Sequence, residues 1–122
     1  MNIHEFWNAV LTQNAKDLRH FFNEDAYINW HCTNEHFTVD EFIQANCEYP
    51  GHWDGNIERI EYLNDLIISV VNVFSTNHQL SFHVVSFIKI KDHKIISIDE
   101  YWGDDGLAPS WRLDKNIGTP II

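Results

Sequence analysis

The chain has 122 residues, 44% of them hydrophobic and 21% charged, an ordinary globular composition whose length suits one domain, 1–122. Its 18 acidic residues against 8 Lys and Arg give a formal net charge of −10, which repels phosphate backbones and anionic membranes, so neither nucleic acid nor a membrane is an expected partner. Two cysteines are too few for a disulfide framework, and the opening MNIHEFWNAV lacks the basic and apolar regions of a secretion signal; both point to a reducing, cytoplasmic setting.

Asn2 stands three residues before Glu5 as a helix N-cap pair, and Ile3, Phe6, Trp7, Val10 and Leu11 then repeat at helical spacing. Asn14 caps a second short helix in which Ala15, Leu18, Phe21 and Phe22 share a face. Ala26 to Cys32 alternates as a half-buried strand, with Ile28, Trp30 and Cys32 on one side. Thr38-Val39-Asp40-Glu41 is a capping-box pattern and opens a third helix that ends before Pro50-Gly51. From there four β-rich runs follow: Asn56 to Leu63, Leu66 to Thr76, Gln79 to Lys91 and Lys94 to Trp102. Tight turns at Asn64-Asp65, Asn77-His78 and Asp92-His93 join them into an antiparallel meander. Residues 1–102 form the core, and 103–122, with glycines and prolines and no periodicity, read as an extended tail.

Helices followed by a long meander form an α+β order, and helices packed on one sheet face leave a cone with a hollow. The segments EDAYINWHCTNEHFTVDEFI, SFIKIKDHKI and IISIDEYWGDDGLAPSWR together resemble the SnoaL-like branch of the nuclear transport factor 2-like superfamily. The resemblance implies a cone-shaped barrel of a curved, mostly antiparallel sheet, with three helices from the N-terminal half on its concave face. It also implies a pocket between helices and sheet, and a homodimer through the convex face. Ketosteroid isomerases, limonene-type epoxide hydrolases, polyketide cyclases, dehydratases and non-catalytic binding domains share that fold, which therefore does not fix the function.

Glu100-Tyr101-Trp102 is similar to the epoxide hydrolase strand in which a catalytic carboxylate precedes two aromatics, which makes Glu100 rather than Asp99 the implied pocket acid. The positions of that enzyme's tyrosine, asparagine, arginine and second aspartate hold Ile28, Trp30, Val70 and Asn72, so its water-activating chemistry is not expected. A two-residue Asp92-His93 turn would set Phe87 opposite Ile98, Val85 opposite Glu100 and His83 opposite Trp102. His83 would then lie diagonal to Glu100. A carboxyl among aromatics has its pKa raised toward neutrality and suits general acid or base work; His83 would share its proton, and Asn72 would offer an amide to an oxyanion. The plainer reading has Glu100 held by Arg112 or a backbone amide and His83 satisfied in the core.

Trp30, Cys32, Trp53 and Trp102 are the candidates to bind a flat apolar ligand, with Trp7, Tyr49, Phe22 and Trp111 as further lining aromatics. Trp111 is expected to pin the tail over the barrel mouth or onto a partner subunit, Arg112 to meet a ligand carboxylate or the acidic turn, and Cys32 to be a small buried thiol. His31, Cys32, His36, Cys47 and His52 fit no zinc-ligand spacing, and Asp99, Asp104 and Asp105 fit no calcium loop. No phosphate loop or dinucleotide fingerprint is present, so no metal or cofactor is expected. The sequence thus predicts a small-molecule pocket of one of two kinds: a cofactor-independent isomerase, cyclase or dehydratase using Glu100 and His83, or a non-catalytic binding domain.

Overall fold

The computed structural model describes residues 1–122. Helix α1 (Ile3–Leu11) begins where the Asn2 side chain accepts the backbone N–H groups of His4 and Glu5, and it buries Ile3, Phe6, Trp7, Ala9 and Val10. Asn14 caps α2 (Ala15–Arg19) by accepting from the Asp17 N–H. This helix stops two residues short of Phe21 and Phe22, and Phe22 opens strand β1 (Phe22–Trp30). A 3-10 turn (His31–Thr33) and a left-handed Asn34 return the chain along strand β2 (Glu35–Thr38). Cys32 therefore lies in a turn and not in the strand expected for it. Thr38 and Glu41 form the expected capping box of α3 (Val39–Cys47), each side chain accepting from the other's backbone N–H.

Strands β3 (Trp53–Leu63), β4 (Leu66–Ser75), β5 (Ser81–Lys91) and β6 (Lys94–Asp104) form the antiparallel meander. The six-stranded order is β2-β1-β6-β5-β4-β3, and its one parallel contact joins β1 to β6. The architecture is α+β, with a curved, mostly antiparallel sheet and helices against its concave face. Alternation is clearest in β4, where Ile67, Ser69, Val71, Val73 and Ser75 are buried and their neighbours are not. The Trp7 indole N–H reaches across the core to the buried Ser69 hydroxyl at 3.1 Å, and Phe6 meets Trp7, Phe21 and Phe22 edge to face. No helix is long and apolar enough to cross a membrane.

Two bulges interrupt the meander, and the first sets which side chains of β5 face the cone. Asp92 and His93 both take positive φ, as a two-residue hairpin turn requires, and Lys91 pairs with Lys94 as expected. Ile96 is then an extra residue, because Ile90 pairs with Ile95 while Lys89 pairs with Ser97. From there on the expected register is wrong by one: Phe87 faces Asp99, Val85 faces Tyr101 and His83 faces Gly103. The slip turns Phe82, Val84, Ser86 and Ile88 toward the core and puts His83, Val85 and Phe87 on the convex face. The second bulge, at Glu58 in β3, lies between the Ile57–Val71 and Arg59–Val70 pairs.

The tail also departs from expectation. Residues Ser110–Asp114 form a short helix, α4, in which Trp111 and Leu113 are exposed. On the edge of the sheet, β3 and β4 approach so closely at Gly55 that a Cβ there would sit 2.7 Å from the Asn72 carbonyl oxygen and 3.2 Å from the Leu11 methyls. The carbonyl is fixed in the sheet and cannot yield. Gly55→Ala is expected to cost about 1–3 kcal/mol, read as a lower urea midpoint at unchanged m-value; an unchanged midpoint would contradict this packing.

Candidate functional site

A cavity of about 520 Å³ opens at the end of the sheet where β1 and β6 finish and β3 begins. The sheet contributes Trp30, Trp53, Val73, Phe82 and Trp102 to its wall, and the helical side contributes Val10, Leu11, Gln13, Asn46 and Tyr49. Gln13 ties the helical side together: its amide donates to the Asn46 and Tyr49 carbonyls at 2.9 and 2.8 Å, and Asn46 in turn donates to the Val10 carbonyl at 3.1 Å.

Five of the lining rings form a continuous arc. Trp30 meets Trp102 at 6.3 Å, Trp102 meets Phe82 at 6.3 Å, Phe82 meets Trp53 at 5.9 Å and Trp53 meets Tyr49 at 5.5 Å between centroids. Three of these four contacts are steep, at 66, 78 and 76°, so successive rings stand to one another as the walls of a box. Trp53 is anchored through its N–H to the Pro50 carbonyl at 3.2 Å, and Trp30 through edge-to-face contact with Phe37 at 4.8 Å. Cys32, a free and exposed thiol and not the buried one expected, reaches the opening with Thr33, Glu35 and Asp104.

Glu100 lies behind this wall and does not line the cavity. It is 3% exposed and is held by Ser86, its strand partner, and by the Trp30 indole N–H at 3.0 Å. The Trp102 indole lies close enough to favour the ionised carboxylate, yet its buried N–H is out of hydrogen-bonding geometry and has no partner. Burial dominates: it pushes the Glu100 pKa above the ordinary carboxylate range, against the opposing pull of Ser86, Trp30 and Trp102. Trp30 and Trp102 thus each have two roles, as cavity wall and as surroundings of the buried acid.

His83 does not join Glu100. The Ile96 bulge turns it to the convex face, where its Nε2 meets Glu58 at 2.9 Å and its Nδ1 meets Asp105 at 2.5 Å. The Asp105 hydrogen bond, outweighing desolvation, raises the His83 pKa, with the charges of Asp105 and Glu58 adding to it. For Asp105, partial burial works upward but is outweighed by Ser81 and His83, and its pKa falls below the usual carboxylate range. Asn72 belongs to this cluster and not to an oxyanion site, since its amide donates to Ser81 Oγ, the Phe82 carbonyl and Asp105 at 3.0, 2.9 and 3.2 Å. Arg112 lies in the tail, its guanidinium 5.2 Å from the Trp111 ring centre; it neither lines the cavity nor holds Glu100. Trp111 is 56% exposed and lies outside the cavity wall, while Trp7 and Phe22 are core.

Sequence reasoning missed Phe82, Ser86 and Asp104 at or under the cavity. The first two were hidden by the one-residue slip, and Asp104 extends the Glu100 and Trp102 face beyond the point where the strand was expected to end. Asp105, which fits no calcium loop, carries no signal of a partner in the sequence, and only the extended β6 shows it beside His83.

No family model and no curated protein matches this sequence. Solved structures do match in shape. A candidate ketosteroid isomerase from Kribbella flavida superposes with TM-score 0.81 at 16% identity, covering 98% of this chain and 87% of that one. A nuclear transport factor 2-like protein of unknown function from Burkholderia xenovorans gives 0.76 at 18% identity, over 92% and 88%. A candidate SnoaL-like polyketide cyclase from Shewanella putrefaciens gives 0.66 at 16% identity, over 80% and 74%. Identities this low speak to fold and not to chemistry. The expectation drawn from the sequence segments is met at that level: the chain has the fold of the nuclear transport factor 2-like superfamily.

Proposed function

We propose that the protein binds a small, largely apolar molecule in its aromatic cavity without transforming it. The observation that carries this reading is the division between cavity and acid. Five aromatic rings line a space of about 520 Å³, while Glu100, the acid that burial would suit to proton transfer, is committed to Trp30 and Ser86 behind that wall. Three of the five tryptophans line the cavity, so their fluorescence reports on occupancy. Titration with a neutral flat probe such as naphthalene is expected to give a saturable change that Trp53→Ala removes; a linear, unsaturable response would contradict the reading.

The acid/base alternative, an isomerase, cyclase or dehydratase, draws support from the raised Glu100 pKa just behind the cavity wall. It requires Trp30 or Trp102 to swing aside, and His83 can take no direct part in it from the convex face. On that alternative, an enolisable ketone is turned over by the wild type and not by Glu100→Gln. On the binding reading neither protein turns it over.

We further propose a homodimer through the convex face, where Tyr27, Phe87 and Tyr101 are 41, 36 and 45% exposed. Phe87 packs on Tyr101 and Tyr101 stacks on His31, so the patch is ordered before any partner arrives. Sedimentation is expected to give a dimer that Phe87→Lys dissociates; a wild type sedimenting at 14.4 kDa would contradict it.

A further inference from the structure

We propose that the molecule held in the cavity is an organic cation, an amine or quaternary ammonium group on an apolar body, with its charged end toward Glu35 and Asp104. The proposal rests on the reading of the cavity as a ligand site and adds the chemical class. Among the residues lining the cavity the only formal charges are these two carboxylates, with no Lys, Arg or His. Both are exposed, so they belong to the open side, and neither takes part in an ion pair, whereas Asp40, Glu58, Glu61, Asp99 and Asp105 all do.

Each of the two acids is the strand partner of a lining ring. Glu35 pairs with Trp30 across β1 and β2, and Asp104 pairs with Phe82 across β5 and β6. The negative charge is therefore built into the same strand pairs as the aromatic box. Ring faces carry negative electrostatic potential and attract cations, most strongly for tryptophan, and an ammonium group loses less by partial desolvation there than beside aliphatic side chains. The overall charge of −10 adds a long-range field of the same sign. An anionic ligand would meet repulsion at the mouth with no lining cation to offset it.

The test is calorimetric titration of the full chain with three matched probes: phenethyltrimethylammonium, its neutral isostere with tert-butyl in place of trimethylammonium, and phenylpropionate. The cation is expected to bind about tenfold or more tighter than the isostere, and phenylpropionate weakest of the three. Glu35→Gln combined with Asp104→Asn changes two exposed side chains, and is expected to bring the cation to within about twofold of the isostere while the isostere's own affinity holds. Equal affinity for cation and isostere in the wild type would overturn the proposal and leave the cavity reading intact. A preference that survives the double substitution would overturn it as well, by removing the carboxylates from recognition. Failure of all three probes to bind would overturn the cavity reading, and this inference with it.

Discussion

Trp30→Ala is expected to destabilise the fold by about 3–5 kcal/mol and to abolish saturable ligand binding. The indole packs edge to face on Phe37, Phe42 and Trp102, so truncation opens the space between β1, α3 and β6. It also removes the N–H that Glu100 accepts at 3.0 Å, leaving a buried carboxyl oxygen without that partner. Trp30→Phe separates the two effects. It keeps a ring in the wall but not the donor, so it is expected to cost about 1–3 kcal/mol and to retain binding. Urea denaturation followed by ligand titration of both variants provides the check. A Trp30→Ala protein as stable as the wild type would mean that the indole holds neither the wall nor the acid.

Glu100→Gln is expected to change the pH dependence of stability more than any other single substitution. The folded state holds the Glu100 proton more tightly than the unfolded chain does, since burial penalises the charged form. Its contribution is therefore fully present below the ordinary carboxylate pKa and is lost as pH rises through the raised folded value. Glutamine is the neutral counterpart: its carbonyl can accept from Trp30 and its amide can donate to Ser86. At about pH 4 the variant should match the wild type, and at about pH 8 it should be more stable by on the order of 1 kcal/mol or more. His83, also raised, loses its contribution with rising pH, while the lowered Asp99 and Asp105 lose theirs as pH falls. These terms are common to both proteins and cancel in the difference. A difference that is flat between those pH values would place Glu100 in water and not in the core.

Local signals in the sequence carried most of the fold. The Asn2, Asn14 and Thr38 caps and the positive-φ turn at Asp92-His93 are decided within a few residues, and there the expected elements and the structure agree. The β1–β2 hairpin was not legible, because β2 has only four residues and the last of them, Thr38, is the N-cap of α3. The lining of the candidate cavity was legible in part: Trp30, Cys32, Trp53 and Trp102 do meet around one cavity. His83 and Asn72 do not, for one reason each. An extra Ile96, invisible in a pattern of isoleucines that would suit either face, turned His83 outward. Asn72 alternates with Val71 and Val73, whose burial fixes it on the opposite face from the cone. The unpaired Glu35 and Asp104 carried no signal in a chain with 18 acids, since only their strand partners make them distinctive.

If the cone holds a ligand between its aromatic walls, as proposed, that ligand leaves its trace in the protein as purified. A high-resolution crystal structure of protein purified without added ligand would reveal it as density between Trp30, Trp53, Phe82 and Trp102. An open cavity of a few hundred cubic ångströms, occupied by a co-purified molecule or by ordered water, is expected. A dry cone, with Tyr49 and Trp53 folded inward to fill it, would mean that no ligand is held there.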